Sequence, residues 1–500
     1  MIDLGYCTML ILIGIAILTY ILSTALYNLY FHPLSSFPGH LLSRAFHAPF
    51  LHSMLTGRLP HTIRDLHEHY GPVVRISPTE LSFTDPSAWK GIYQNKAFIR
   101  PSQWRGKPPG VEADSLISAS VKDHARFRKV LAPAFSETAV GLYEPIVEKY
   151  IDVLISKLGK EVENGGGEAV VDVVRWINFA TFDIIGDLGW GESFHCLEKQ
   201  DYHPWITVIL QFQALMVAAA LSYYPVLEKL VSYITPKSAL AGLNLVLDTS
   251  EANVKSRLKR KTDRQDIMSY VLQHNESSPE TGMSEAEMIT NSMALVVAGS
   301  ETLTAALAGT INNLLSHPEI EKLVREVRSA FTSESEISGR TTKDLPYLTA
   351  VLQEGMRLCP PIPDNMHREV PKGGAIIAGS LIPEGVTVGI SCFSMFRSTE
   401  NFAFPDEFIP ERWLQRVGDD SSPYVNDRHD AYHPFSVGVH GCLGQQLAWL
   451  ELRVIMARLL WNFDLELPRG ARPLEWTSQK IFWAWEKEPV NVNLRKRGRT

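Results

Sequence analysis

The chain has too few cysteines, too widely scattered, for a disulfide framework: Cys7, Cys196, Cys359, Cys392 and Cys442 are five in 500 residues, with no C-x-x-C pair among them. That usage fits a reducing compartment and excludes the small cross-linked secreted scaffolds. An excess of positive charge is also missing. Forty-eight Lys and Arg against 55 Asp and Glu leave a formal net charge of −7, so the global charge gives no attraction for nucleic acid and no nucleic-acid partner is expected. No repeat is visible at the roughly 20- to 50-residue periods of solenoids and propellers. Low complexity is confined to Gly165–Gly167, which reads as a loop. Apolar residues are plentiful: 45% hydrophobic, with 21% charged, offsets the ordering entropy over most of the length and excludes extended disorder. The length allows one large enzyme-sized domain or two or three ordinary ones.

From Leu4 to Tyr30 no side chain is charged, and Met9 to Leu22 is almost wholly apolar. At about 1.5 Å per residue such a segment crosses a bilayer core of roughly 30 Å. Residues 1–30 therefore read as a transmembrane anchor with a short luminal N-terminus. A cleaved signal peptide, with Ser23, Thr24 and Ala25 as its small-residue site, wants a basic start and a shorter apolar run, whereas the only early charge is Asp3. The first Arg is Arg44, downstream of the apolar run, and this bias places the remaining chain in the cytosol on a single-pass endoplasmic reticulum anchor. The sequon Asn275, Glu276, Ser277 would matter only in a secreted protein and reads as chance. Phe31 to Gly39 places two prolines among aromatics, which predicts a stiff elbow over residues 31–40, followed by one body over residues 41–500.

Val73 to Phe83 and Ala375 to Ile390 carry β-branched residues broken by Pro and Gly, as short strands do. Apolar residues at three- and four-residue spacing predict helices over Tyr143–Leu158, Glu285–Leu315, Pro318–Phe331, Tyr347–Leu358 and Gln445–Trp461. The fold class is thus mainly α with small β-sheets. Lys255 to Arg264 holds six bases in ten residues and reads as a solvated helix-loop face rather than a lipid or partner contact.

Four of the cysteines sit in apolar settings and read as packing residues. Cys442 differs. It lies in Phe435-Ser-Val-Gly438-Val-His440-Gly-Cys442-Leu-Gly444, directly before a predicted helix. A helix N-terminus stabilises a thiolate, and flanking glycines let a flat cofactor approach the backbone. Such a sulfur can ligate haem iron. A zinc site from His433, His440 and Cys442 is the competing reading, but zinc wants four ligands at short, regular spacing. The pattern F-x-x-G-x-H-x-C-x-G resembles the haem-binding loop of cytochromes P-450, in which Arg usually stands where this chain has His440.

The resemblance runs from YGPVVRISPTELSF at Tyr70–Phe83 to KIFWAWEK at Lys480–Lys487. FHPL…FPG, PERWL and GDLGWGESF look most like membrane-bound fungal members of secondary metabolism, the group that includes isotrichodermin hydroxylases. By that resemblance Cys442 is the metal ligand of haem (heme b), with Phe435, Gly438 and Gly444 in its cradle. Glu354, Arg357 and Arg412 would form a structural triad beneath the haem. His124, in place of the usual Trp, would contact the propionates together with Arg128, Arg368 and His440; two histidines among four contacts predict weaker propionate neutralisation. Ala298-Gly-Ser-Glu301-Thr302 resembles the groove in which an acid-alcohol pair handles protons for bound oxygen, so Glu301 and Thr302 are the expected catalytic residues. The Thr302 hydroxyl can also bond back to the Ala298 carbonyl. Without context, a helical Gly and Thr read as a packing notch.

The function implied is O2- and NADPH-dependent oxidation of an apolar small molecule, with electrons from a separate NADPH-cytochrome P-450 reductase docking near Lys122, Arg126 and Lys129, and with membrane lipid as a further partner. Two alternatives stand beside it: a thiolate-haem isomerase or dehydratase that does not oxygenate, and a non-catalytic membrane protein that binds haem or lipid. By the same resemblance the substrate pocket draws on Pro101–Val121, Ala294–Thr302, Pro361–Met366 and Lys480–Phe482. Within it, Asp364 and Asn365 are polar where apolar residues are common. They read either as a hydrogen bond to a substrate oxygen or as a water-exposed turn.

Overall fold

The computed structural model describes residues 4–105, 111, 113–224, 237–260, 264–414 and 422–497. The long apolar run forms a helix, Leu4–Leu26, continued by a π-turn over Tyr27–Phe31. Its apolar segment Thr8–Phe31 is long enough to cross a membrane, and its most apolar 18-residue window is not buried in the body, although Asn28 at its end is. The helix Glu285–Leu314 passes the same test of length and apolarity, but 67% of its apolar window is buried, so it is the central helix of the body. It starts on a capping box, in which Ser284 Oγ accepts from the Glu287 N–H and the Glu287 carboxylate accepts from the Ser284 N–H.

Around this central helix pack Val173–Trp190, Pro346–Leu358 and Gln445–Asn462, and Glu137–Asn164 closes the bundle against the first and last of these. The five helices expected from spacing are all present, as Glu137–Asn164, Glu285–Leu314, Glu319–Ala330, Pro346–Leu358 and Gln445–Asn462. The expected strand regions form Val73–Ser77, Glu80–Phe83, Ala375–Ile377, Ser380–Ile382 and Thr387–Gly389. A four-stranded sheet has the order Val73–Ser77, Glu80–Phe83, Thr387–Gly389, Arg368–Glu369; its middle pair is parallel and the outer pairs are antiparallel. A three-stranded antiparallel sheet joins Glu168–Asp172, Asn491–Lys496 and Phe463–Glu466.

The elbow is gripped by one buried cation. Arg75, with no exposed surface, donates from Nη1 to the Asn28 and Leu34 carbonyls at 2.8 and 3.3 Å and from Nη2 to the Pro78 carbonyl at 2.7 Å. Asn28 Nδ2 in turn donates to the Ala45 carbonyl at 2.8 Å. A cut after residue 26 spares these bonds, whereas a cut after residue 30 removes Asn28 and leaves a buried guanidinium short of an acceptor. The longer deletion is expected to cost about 1–3 kcal/mol of stability, read as a lower unfolding midpoint than the shorter one. Equal midpoints would show that the grip is idle.

Part of the basic run is occupied by ion pairs. Arg257, buried in the helix Lys237–Lys259, pairs with Asp266 at 2.9 Å; Arg260 pairs with Glu192 and Arg264 with Asp187. The expectation of a solvated face holds for Lys255, Lys259 and Arg260, which are exposed, and fails for Arg257, which is buried; residues 261–263 lie outside the described residues. Asn275 spends its amide on Met283, donating from Nδ2 at 2.8 Å and accepting at Oδ1 at 2.9 Å, which fits a chance sequon.

Candidate haem-thiolate site

Cys442 is held by its own loop. Its N–H donates to the Phe435 carbonyl at 2.8 Å, and the helix Gln445–Asn462 begins three residues on, with Gly444 at its N-cap and no side-chain cap. Gly438 has φ +74°, and a Cβ there would lie 2.1 Å from the Tyr93 carbonyl, so only glycine closes this turn. Phe435 sits beside Trp449 with ring centroids 6.0 Å apart. The Cys442 residue is exposed, although neighbouring protein atoms still desolvate its thiol. Burial pushes the thiol pKa up, against the Gly444 N–H and the nearby Arg128, which pull it down. The other described cysteines, Cys196, Cys359 and Cys392, are buried packing residues as expected. Among the described residues no three His, Cys, Asp or Glu side chains gather as a metal site. His433 packs edge-on against Trp89, which removes the zinc reading.

Four of the expected haem contacts converge. Arg128 Nη1 donates to the Gly441 carbonyl at 2.7 Å. His124 Nε2 and His440 Nδ1 are 3.1 Å apart, with ring centroids at 4.2 Å. Arg368 lies over the Tyr93 ring, bonds the His367 carbonyl at 2.7 Å, and leaves its buried Nε without a partner. A fifth group, Arg100, joins them. The charges acting on His124 and His440 are Arg100, Arg128 and Arg368, so burial and these cations push the imidazoles down to about 4 and about 3. Both histidines are then neutral at pH 7, and neutralisation of anions falls to three arginines. Arg100 was not foreseen, because a lone Arg in AFIRPS carries no sequence signal; only the fold brings it beside Arg368. Cations gathered without a dominant counter-acid, next to a thiol in a glycine turn, fit the two propionates and the iron of a haem.

Glu354, Arg357 and Arg412 are fully buried together. Arg357 forks onto Glu354, Nε to Oε2 at 2.9 Å and Nη2 to Oε1 at 2.8 Å, and Arg412 Nε reaches Oε1 at 3.1 Å. Two further members were not foreseen: Trp413 Nε1 donates to Glu354 Oε2 at 2.9 Å, and Asp427 pairs with Arg412. Burial raises the Glu354 carboxyl and the arginines overcome it, leaving its pKa below the usual range.

In the central helix, Thr302 Oγ1 donates to the Ala298 carbonyl at 2.7 Å, as the sequence predicts. Gly299 is a packing notch: a Cβ there would come within 2.8 Å of Ile185 on the neighbouring helix. Glu301 is buried and ion-paired with Lys487, a partner that no local motif announces because it arrives from the last turn of the chain before strand Asn491–Lys496. The four predicted pocket segments do meet. Trp104, Val297, Ile362 and Phe482 pack into one apolar cluster with Met216 and Ala220 of the helix Phe212–Ser222. Asp364 and Asn365 are 1% and 2% exposed, so the water-exposed turn is ruled out. Of the three expected docking charges, Lys122 and Lys129 are exposed, but Arg126 is occupied: it bonds the Gly282 carbonyl at 2.6 Å and Glu287 at 2.5 Å.

A helical body with a cysteine thiol in a glycine turn, beside half-buried Arg100 and Arg128 and buried Arg368, has the makings of a haem-thiolate protein. The profile of the family described as Cytochrome P-450 matches residues 38–492. Averantin hydroxylase of Dothistroma septosporum is 38% identical over 99% of this chain and 93% of its own length. The monooxygenase astA of Talaromyces wortmannii is 38% identical over 98% of both chains, and trichothecene C-15 hydroxylase of Fusarium sporotrichioides is 36% identical over 95% of this chain and 96% of its own. The chain belongs to the cytochrome P-450 family, whose members use haem with a cysteine thiolate ligand, and its activity is that of a monooxygenase.

Proposed function

We propose that this chain hydroxylates, or otherwise oxidises, an apolar intermediate of fungal secondary metabolism, with Cys442 as the iron ligand. The observation that carries the assignment is the Cys442 turn set among Arg100, Arg128 and Arg368. The haem, when bound, supplies O2 activation at an iron whose thiolate ligand favours O–O cleavage. Arg100, Arg128 and Arg368 would hold the propionates, and His124 with His440 would fill the space between them. The triad Glu354, Arg357 and Arg412, braced by Trp413 and Asp427, keeps the loop beneath the haem in place. Thr302 Oγ1, its own proton held by the Ala298 carbonyl, would accept a hydrogen bond on the substrate side, and Glu301, held by Lys487, is the carboxylate next to it. The apolar cluster around Val297 and Ile362 excludes water from the reacting carbon. Relatives named as hydroxylases and monooxygenases favour this reading over an isomerase.

Residues 1–30 serve as a single-pass anchor in the endoplasmic reticulum membrane, residues 31–40 as the elbow and residues 41–500 as the cytosolic catalytic domain. Electrons would come from an NADPH-cytochrome P-450 reductase, which the exposed Lys122 and Lys129 could meet.

Thr302→Ala tests the oxygen-activating role. Alanine is a good helix former, so folding, haem content and the ferrous-CO spectrum are expected to persist. With reductase and substrate, NADPH and O2 are still consumed, but hydrogen peroxide rises and product per NADPH falls. Unchanged product per NADPH would reduce Thr302 to packing.

A further inference from the structure

The apolar cluster has one polar corner. Asp364 and Asn365 lie in the segment that contributes Ile362, beside His367 and against Glu80 of the four-stranded sheet, and Tyr223, which packs on the apolar cluster, donates to Glu80 at 2.6 Å. All but Tyr223 are at least nine-tenths buried. Their hydrogen bonding is incomplete. Asn365 has no partner for either Nδ2 or Oδ1, and neither ring nitrogen of His367 is bonded, although Nδ1 is 3.5 Å from the Glu80 carboxylate and Trp104 stacks on the ring at 4.8 Å. Glu80 Oε2 and the Nε1 of the stacked Trp104 also lack partners, so six buried polar atoms meet here; leaving them unpaired is costly, and each needs a partner.

The orphaned set selects the chemistry of that occupant. Asn365 presents a donor and an acceptor, and a neutral imidazole presents one of each. Burial pushes His367 down to about 3, so its ring is uncharged, and raises Glu80 and Asp364 to about 7. A carboxylate would only accept hydrogen bonds and would face two acids. An ammonium would gain from Glu80 and Asp364 but would only donate, leaving the donors Asn365 Nδ2 and Trp104 Nε1 unpaired, and would sit near Arg368, whose charge already acts on His367. A hydroxyl both donates and accepts.

On the reading of the apolar cluster as substrate pocket, we propose that Asn365 and His367, backed by Asp364 and Glu80, recognise a neutral hydroxyl group on an otherwise apolar substrate. An apolar wall with a few convergent polar groups is how small-molecule sites fix orientation. The enzyme thus takes a substrate that already carries an alcohol or phenol, and a prior hydroxyl-forming reaction, such as ketone reduction or aromatic ring formation, must supply it.

The test uses the full-length haem-loaded protein in lipid nanodiscs and equilibrium dialysis of four probes on one skeleton: phenanthrene, 9-phenanthrol, phenanthrene-9-carboxylate and 9-aminomethylphenanthrene. The expected result is that 9-phenanthrol binds at least tenfold tighter than the other three. In Asn365→Leu, and in His367→Phe, which keeps an aromatic ring against Trp104, that preference is expected to fall below threefold. Equal affinities, preference for the acid or the amine, no uptake of 9-phenanthrol, or variants that keep the tenfold preference each overturn the proposal. The ferrous-CO spectrum is recorded on every sample. Its loss in wild type would strike at the haem-thiolate reading itself, whereas a normal spectrum with no hydroxyl preference defeats only this inference.

Discussion

Cys442→Ala is expected to abolish the red-shifted Soret band of the ferrous-CO complex and to leave protein with little bound haem. Cys196, Cys359 and Cys392 are buried, and burial pushes each of them up to about 12, so none offers a substitute thiolate. Cys442 alone among them combines a glycine turn, a helix start and a neighbouring Arg128. The measurement is the CO difference spectrum with haem quantified in parallel. A retained thiolate-type band would sink the ligand assignment. Because alanine fills less space than cysteine and the turn is fixed by the Cys442 N–H bond to Phe435, the apoprotein should stay folded.

Arg357→Ala should have the larger effect on stability. The guanidinium satisfies both oxygens of Glu354 and also the carbonyls of Phe396, Pro405 and Glu407, at 2.8, 2.6 and 2.9 Å. Removing it strands a fully buried carboxylate with one remaining arginine, at a cost of about 3–5 kcal/mol, comparable with the whole stability of many domains. We expect little soluble haem-loaded protein at ordinary expression temperature. Arg357→Lys should recover it only in part, since a single ammonium cannot fork onto a carboxylate. Normal yield from the alanine variant would show the triad to be dispensable.

These two sites mark how far the sequence alone carries. Helix and strand positions were readable because their apolar spacing is local and long. The Cys442 loop and the Glu354–Arg357 pair were readable because their partners lie within ten and three residues. Arg100, Trp413, Asp427 and Lys487 were not, because each meets its partner only after the chain has folded. Charge patterning misled at two residues: Arg126, expected as a docking charge, and Arg257, expected on a solvated face, are each taken up by an ion pair with a residue of another segment. Asp364 and Asn365 were left undecided for a related reason. A Pro-Asp-Asn stretch has the composition of a turn, and only burial separates a turn from a pocket wall.

The grip of Arg75 on the elbow has a mechanical consequence. Strand Val73–Ser77, which carries Arg75, is one edge of the four-stranded sheet, and Arg368 sits in the strand at the opposite edge. Three strand spacings, about 14 Å, separate them. The 23-residue helix, about 35 Å long, runs through the π-turn Tyr27–Phe31 into backbone that Arg75 ties to that sheet at the Asn28 and Leu34 carbonyls. In a bilayer, a change of thickness that tilts the helix would therefore turn the whole body as one piece, reorienting the pocket towards or away from the lipid while leaving the spacing between Arg368 and Cys442 undisturbed.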